Sequence, residues 1–155
     1  AHPEWNYLQL RDRLLRSCDH RDGLKNFVAH GRLNVSNAFS GYFPTADEPN
    51  PNAWVDVPQI FETPHPYKNS KKYIFRFKYK GAKFVRVFFE TMSIPDTWDW
   101  VLLGNKDVGL VQILAGGEGQ NFYSDYFHGD SLFLELRTNP YTTGWGFKVT
   151  KIQVQ

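Results

Sequence analysis

Aromatic side chains occupy every second position from Tyr73 to Tyr79, with Ile74, Arg76 and Lys78 between them, and the pattern continues from Phe84 to Glu90. A period of two residues is that of a β-strand with one buried face. The break at residues 80–82 predicts a turn, so we expect these two segments to be adjacent strands. The same pattern predicts further strands at residues 98–103, 108–114, 131–137 and 146–154. Several short strands at this spacing indicate a mainly β chain folded as an antiparallel β-sandwich.

The last predicted strand does not keep one apolar face. Phe147 and Val149 share a face, whereas Ile152 and Val154 fall on the other. One extra residue in a strand restores such a pattern, because a shift by one position turns every following side chain to the opposite face. We therefore expect a β-bulge near Thr150.

The start of the chain has a helical pattern instead. Asn6 is a good N-cap, and Gln9 three residues later completes a capping box. Apolar residues at helical spacing predict a helix over residues 7–18, and a second short helix is expected over 34–39. The apolar stripe of the first helix is larger than the segment 24–39 can cover, so we expect its packing partner to be an upstream domain.

Between residues 41 and 58, prolines at positions 44, 49, 51 and 58 fall among Asn, Asp and Thr. This composition disfavours helix and is typical of an extended linker. The chain is therefore predicted to consist of a helical segment 1–40, a Pro-rich linker 41–58 and a β-sandwich 59–155.

Charge and composition argue against several classes of partner. The formal net charge is +2 in 155 residues, and Lys and Arg are scattered; binding to a phosphate backbone needs a concentrated basic surface, so no nucleic-acid partner is expected. No segment approaches the roughly 20 apolar residues that cross a bilayer, so no membrane span is expected. Cys18 is the only cysteine, which precludes an internal disulfide, and its place on the helical stripe predicts a small buried side chain.

Two motifs near the start carry a resemblance. Residues 3–11 read Pro-Glu-Trp-Asn-Tyr-Leu-Gln-Leu-Arg, and residues 31–34 read Gly-Arg-Leu-Asn. The first is similar to the helix that follows the nucleophile-bearing helix in subtilisin-like proteases, and the second resembles the signature that closes those catalytic domains. The resemblance covers residues 1–40, and it implies an upstream catalytic domain or chain of the same protease as partner.

Three further motifs follow in the β part of the chain: Glu-Thr-Pro-His-Pro-Tyr at 62–67, Trp-Asp-Trp-Val at 98–101 and Gly-Phe at 146–147. In this order they resemble the CUB-like modules appended to secreted subtilases. The resemblance implies a sandwich of the jelly-roll type and a secreted or extracellular location. It also implies a module that stabilises the catalytic domain or positions protein substrates.

Catalytic residues are not expected within this chain. In subtilases the Asp, His and Ser of the triad all lie upstream of the Gly-Arg-Leu-Asn signature, so the resemblance implies a serine endopeptidase whose chemistry lies outside this chain. Ser124, Asp125 and His128 are close in sequence, but without a nucleophile-elbow context they are more typical of a solvated loop. The alternative function is an independent adhesion or carbohydrate/protein-binding module.

Some CUB modules bind calcium through carboxylates at one end of the sandwich, and calcium prefers such oxygen ligands. The matching residues here are Asp99, with Glu90 or Asp96 nearby, and Asn139. Thr138-Asn139 replaces a Ser-Asp pair of the family, which removes one formal charge. The alternative is that these are ordinary surface carboxylates, with Asp99 bonding a turn. No other cofactor is expected.

Four tryptophans, Trp54, Trp98, Trp100 and Trp145, are candidates for a stacking platform that binds a glycan or a peptide. Alternation puts Trp98 and Trp100 on one sheet face, which favours core packing. Trp54, in the predicted linker, is expected to pack between domains. His65 lies between two prolines and has no second His or Cys at a zinc-like spacing, so we interpret it as a loop residue.

Overall fold

The fold is that of a computed structural model, which describes residues 4–20, 31–44 and 47–155. The chain divides into two units, Ala1–Glu48 and Pro49–Gln155. The division falls inside the segment 41–58, where the prolines predict a linker. Within the predicted helical segment 1–40, residues 1–3 and 21–30 lie outside the described residues.

Helix α1 of the first unit spans Tyr7–Arg16. The Asn6 Oδ1 accepts a hydrogen bond from the backbone N–H of Gln9 at 3.0 Å, and the Gln9 Oε1 accepts one from the N–H of Asn6 at 2.9 Å. Both bonds of the predicted capping box are therefore present. Ser17 caps the other end of the helix, so the predicted extension to Cys18 is wrong by two residues.

Helix α2 spans Val35–Ser40, close to the predicted 34–39. Asn34 caps it, and Gly41 ends it with a φ of 76°, a left-handed conformation that glycine adopts without steric cost. The two helices are joined by the Arg13 Nε, which donates a hydrogen bond to the Ala38 carbonyl at 2.5 Å.

Within the part of the chain that the structure describes, most apolar side chains of α1 are exposed, and Leu14 is half-buried. No residue of this helix is buried, and Leu8, Leu10 and Leu15 are 59%, 47% and 39% exposed. A capped amphipathic helix normally buries its apolar stripe, because packing of that stripe supplies most of its stability. The uncovered stripe is therefore a surface that can accept a partner.

The second unit is built from strands. They are β1 (Val55–Glu62), β2 (Lys72–Lys78), β3 (Phe84–Ile94), β4 (Trp100–Asn105), β5 (Gly109–Ala115), β6 (Gly117–Tyr123), β7 (Phe127–His128), β8 (Ser131–Arg137) and β9 (Gly146–Val154). Strand makes up 47% and helix 11% of the structure, so the chain is mainly β, as predicted.

All strand pairs are antiparallel. One sheet has the order β1-β9-β3-β6, with β7 beside β3, and the other has the order β2-β8-β4-β5. The inner faces of the two sheets contribute to one hydrophobic core, which is consistent with a β-sandwich. Strands β2 and β3 lie in different sheets, so the prediction that they are adjacent is wrong. The Tyr79 N–H bonds to Asp130 and the Lys83 N–H to Gln155, so the turn between them crosses from one sheet to the other.

The predicted linker is too long at its C-terminal end. Strand β1 begins at Val55, and Pro58 lies within it. Proline is tolerated there because β1 is at the edge of its sheet, where one side of the strand needs no N–H for pairing. The prolines therefore mark an edge strand as well as a linker.

Sequence patterns also miss strands β6 and β7. Strand β6 has the sequence Gly-Glu-Gly-Gln-Asn-Phe-Tyr and lies at the edge of its sheet with mostly exposed side chains, so it carries no apolar alternation. Strand β7 has two residues, too few to show a period.

The bulge predicted near Thr150 is confirmed. On β3, Phe88 is opposite Lys151, whereas the next residue, Phe89, is opposite Val149. Thr150 is thus the extra residue, and it lets the apolar residues on both sides of it face the core.

The core of the second unit is aromatic and aliphatic. Phe89, Phe127, Leu134 and Ile152 are completely buried, and burying a side chain of this size stabilises a fold by about 1.5–3 kcal/mol. This core holds the strand ends, and with them the loops described below. In the part of the chain that the structure describes, no helix combines the length and the apolar character needed to cross a membrane.

Candidate functional site

The loops that follow β3 and β8 are joined by side-chain hydrogen bonds. The Asp96 Oδ1 accepts bonds from the backbone N–H groups of Trp98 at 2.8 Å and Asp99 at 3.1 Å. The Asn139 Nδ2 donates to both carboxylate oxygens of Asp96, at 3.2 and 3.0 Å. Asp96 therefore shapes its own loop and also holds the second loop against it.

Asp99 makes the second connection. Its buried carboxylate accepts a hydrogen bond from the Tyr67 hydroxyl at 2.5 Å and another from the Asn139 N–H at 2.5 Å. Burial, together with the hydrogen bond to Asp99, raises the pKa of Tyr67, so its phenol remains a donor at neutral pH. We call Tyr67, Asp96, Asp99 and Asn139 the end cluster.

The charge of Asp96 is stabilised by its donors. Desolvation acts to raise the pKa of Asp96, but the N–H of Trp98 and the side chains of Thr142 and Asn139 outweigh it, and the pKa lies below its usual value. Hydrogen bonds to the charged form have this effect on a carboxylate. Asp96 is therefore ionised at neutral pH.

Glu90 does not take part in the end cluster. It lies on β3, and its Oε2 is 2.7 Å from the Lys148 Nζ on β9. This hydrogen bond raises the pKa of Lys148. Of the four residues predicted to bind calcium, the structure brings Asp96, Asp99 and Asn139 together and gives Glu90 a different partner.

The end cluster offers the oxygen ligands that calcium prefers, but N–H and O–H groups already occupy them. No group of three or more His, Cys, Asp or Glu suited to a metal occurs among residues 4–20, 31–44 and 47–155. One carbonyl-type oxygen close by is without a partner: the Asn69 Oδ1 is buried and makes no hydrogen bond, while its Nδ2 donates to the Pro140 carbonyl. These hydrogen bonds join the two loops, and calcium stays a prediction.

Trp98 and Trp100 are not core residues. Trp98 precedes β4 and is 72% exposed, and Trp100 begins β4 with 37% of its surface exposed. The Trp100 Nε1 donates to the Thr97 carbonyl at 2.8 Å, which holds this side chain over its own turn. The interpretation of both as core residues is therefore wrong.

Trp145 is stacked on His65, with ring centroids 3.8 Å apart and planes 9° from parallel. The His65 Nδ1 lies 2.6 Å from the Trp145 carbonyl oxygen, and its Nε2 lies 2.9 Å from a carboxylate oxygen of Glu62. His65 thus anchors the chain around Trp145, and it covers one face of the indole.

Trp54 also has a covered face. The Arg86 guanidinium lies 4.3 Å from the Trp54 ring centroid and 4.2 Å from that of Tyr123, close enough for a cation–π contact. The Arg86 Nε is held by the Gln153 Oε1 at 2.7 Å. This part of the Trp54 surface is therefore used within its own unit.

Sequence reasoning misses Tyr141, which is 88% exposed. Its backbone N–H donates to the Asn139 Oδ1 at 2.6 Å, so the end cluster fixes the position from which this ring projects. The Asn-Pro pair at 139–140 is the signal that could have found it, because such a pair favours a turn and puts the next side chain at its tip.

The Ser124 side chain is held by hydrogen bonds to the backbone. Its buried hydroxyl accepts a hydrogen bond from the Val87 N–H at 2.9 Å and donates to the Asp125 carbonyl at 2.8 Å. The His128 ring packs against Phe84, with centroids 4.7 Å apart. Ser124 connects strands, and the interpretation of residues 124–128 as a solvated loop is wrong for it.

The Gly-Arg-Leu-Asn motif has a clear local structure. The Arg32 Nη2 lies 2.6 Å from Asp19, and the Asn34 Nδ2 donates to the same carboxylate at 2.9 Å. Gly31 has a φ of 94°, and a Cβ there would lie 2.3 Å from the Asp19 carbonyl oxygen, so the position requires glycine. The motif therefore fastens the N-terminal end of α2 to the chain that follows α1. Cys18 beside it is buried, as predicted.

No protein-family model and no curated protein matches this chain. Three features of the geometry bear on function. They are the uncovered stripe of α1, the two loops joined by the end cluster, and the exposed rings of Trp98 and Tyr141 that these loops carry.

Proposed function

We propose that this chain is the non-catalytic C-terminal portion of a secreted subtilisin-like serine endopeptidase, in which a jelly-roll, CUB-like sandwich follows the end of the catalytic domain. The observation that carries the proposal is the state of α1. It is fully capped, yet none of its residues is buried and three of its leucines are exposed. A helix of this kind is expected to have packed on a neighbouring domain, and the resemblance of residues 1–40 supplies a subtilase domain as that neighbour.

The Gly-Arg-Leu-Asn motif supports the same assignment. Its contacts with Asp19 hold α2 at the end of α1, so the two helices are held together as one docking element. A preorganised element of this kind loses less conformational entropy when it packs on a partner.

For the sandwich we propose a role in stabilising the catalytic domain or positioning protein substrates. The end cluster fixes two loops, and Trp98 and Tyr141 project from them into solvent. Aromatic rings on rigid supports provide contact area at low entropic cost and are enriched at protein interfaces. The exposed rings of Trp98 and Tyr141, which we call the aromatic platform, therefore suit a macromolecule better than a small ligand enclosed in a cavity.

Casein hydrolysis tests whether this chain is non-catalytic. The purified chain is expected to cleave no labelled casein at any concentration, because the proposal places the catalytic triad upstream of this chain and the Ser124 hydroxyl is bonded to backbone groups. Sustained cleavage that increases with dose and persists after a second purification step would contradict the proposal.

The exposed aromatic rings also favour the second candidate function, an independent adhesion or carbohydrate-binding module. A glycan array separates the two. In a glycan-binding module, Trp98→Ala removes the signal, whereas Trp145→Ala serves as the matched control because His65 covers one face of that ring. If the unaltered chain gives no signal on the array, this candidate is eliminated.

A further inference from the structure

Three apolar side chains on the outer face of the four-stranded sheet are exposed. Ile74, Leu110 and Ile113 are exposed by 49%, 44% and 51%. They do not form a continuous row, because Glu135 on β8 lies between Ile74 on β2 and Leu102 on β4, and Leu102 is buried.

A groove of about 530 Å³ opens on this face. Arg76, Lys78, Asn105, Lys106, Ser131 and Phe133 are among the residues that line it. We call it the basic groove. In the strand register Arg76 is opposite Phe133, and Phe133 is opposite Gly104 on the next strand, so a cation and an aromatic ring lie side by side.

The positive charges of the basic groove are only partly compensated. The Lys106 Nζ lies 2.5 Å from Asp107, whereas the Lys78 Nζ lies 3.8 Å from Asp130 and is largely exposed. Such exposed pairs contribute little. Among the described residues, the Arg76 side chain makes no ion pair and no hydrogen bond. Its guanidinium is therefore available to a ligand.

We propose that the basic groove binds an acidic segment of a protein substrate, in which a carboxylate pairs with Arg76 and a neighbouring apolar side chain packs on Phe133. A guanidinium binds a carboxylate through two parallel hydrogen bonds, which gives geometry as well as strength. The charge complementarity selects an acidic partner. Phe77, Leu132 and Phe133 also line the groove, and they favour a polypeptide over a sulfated polysaccharide because an apolar side chain can pack against them and exclude water.

This inference names the partner for the substrate-positioning role and rests on the proposed function in that respect. Peptide binding is measured on the chain alone, without any protease. A failure to bind would therefore remove the groove from the account and leave the assignment of residues 1–40 untouched.

The experiment is fluorescence anisotropy with the complete 155-residue chain and a fluorescein-labelled peptide of sequence Glu-Glu-Phe-Glu-Leu. The peptide is expected to bind, and affinity should fall as salt is raised because the charges are exposed to solvent. Arg76→Gln should weaken binding about tenfold, since a hydrogen bond to a charged group is worth roughly that factor. The unaltered chain should bind the same peptide with Gln in place of Glu about as weakly as the Arg76→Gln variant binds the acidic peptide.

Lys68→Gln is the matched control. Lys68 is an exposed lysine outside the basic groove, and its loss should change affinity less than about twofold. The proposal is overturned if the unaltered chain does not bind the peptide, if Arg76→Gln binds as the unaltered chain does, or if heparin binds while the peptide does not. Thermal melts of both variants should match the unaltered chain, because both side chains are exposed.

Discussion

The Tyr67 hydroxyl donates a hydrogen bond to Asp99 across 2.5 Å, and both side chains are almost completely buried. Tyr67 lies between β1 and β2, and Asp99 lies just before β4. A buried carboxylate is costly unless donors surround it. This bond is therefore central to the loops that carry the aromatic platform.

Replacing Tyr67→Phe should lower the free energy of unfolding by about 2 kcal/mol, because it leaves a buried carboxylate without one of its donors. Urea denaturation measures the change. Tyr141→Phe removes a hydroxyl from an exposed ring and should shift stability by less than about 0.5 kcal/mol. Equal effects of the two substitutions would show that the Tyr67 bond contributes nothing.

The end cluster should not need calcium. Its carboxylates already accept hydrogen bonds from Tyr67 and Asn139, so EDTA is expected to leave the thermal midpoint unchanged. An ion bound only by the folded chain would raise that midpoint. A midpoint that rises with added calcium would instead assign Asp96, Asp99 and Asn139 to a metal.

A calcium requirement can be introduced with Asn139→Asp. This change places a carboxylate where the Asn139 Nδ2 now donates to Asp96 at 3.0 Å. Like charges at this distance repel, so the thermal midpoint should fall in EDTA and recover in calcium, which binds carboxylate oxygens. Asn50→Asp, at an exposed position distant in sequence, is the control. A variant as stable as the unaltered chain in EDTA would contradict the geometry of the cluster.

Low pH should reduce the folding stability of the second unit. Hydrogen bonds from Lys151 and Gln153 lower the pKa of Asp56, and the donors around Asp96 outweigh desolvation and lower its pKa as well. Each carboxylate therefore binds protons less readily in the folded chain than in the unfolded one. Its stabilising contribution is complete above the unfolded pKa and is lost as pH falls below about 4.

Thermal midpoints between neutral pH and about pH 2.5 check this dependence. The double variant Asp56→Asn, Asp96→Asn should decline less steeply than the unaltered chain. Parallel curves would mean that neither group is coupled to folding.

The uncovered stripe of α1 should make the isolated chain associate. Analytical ultracentrifugation over a concentration series is expected to show oligomers, because exposed leucines bury apolar surface on contact. Leu10→Gln combined with Leu15→Gln should restore the monomer, whereas Ile60→Gln, which alters an exposed residue of β1, should not. A chain that is monomeric throughout would contradict the assignment of α1 as a docking surface.

Local signals predict well where short-range contacts determine the structure. The capping box at Asn6 and Gln9 and the bulge at Thr150 are both present, since each depends on residues within a few positions. The strands with one buried face are likewise visible as alternation. Strand β6 is not, because an edge strand with polar and glycine residues has no apolar period to detect.

Contacts between residues that are distant in sequence cannot be predicted from local patterns. Alternation tells which face of β2 or β3 is buried but not which sheet contains it, so a crossing between sheets looks the same as a hairpin. The pairing of Tyr67 with Asp99 joins residues 32 positions apart, and periodicity carries no information about it. Alternation places Trp98 and Trp100 on one face but does not tell which face is buried: Trp98 precedes β4, and on β4 the core face carries Val101 and Leu103.

The central claim is that a protease domain precedes this chain in the native protein. The most direct measurement is the intact mass of the native gene product, captured with antibodies against residues 49–155 and treated with a fluorophosphonate probe that labels active serine hydrolases. The account predicts a product much larger than 18.1 kDa that the probe labels. A native product close to 18.1 kDa, or a larger one that never reacts with the probe, would contradict it.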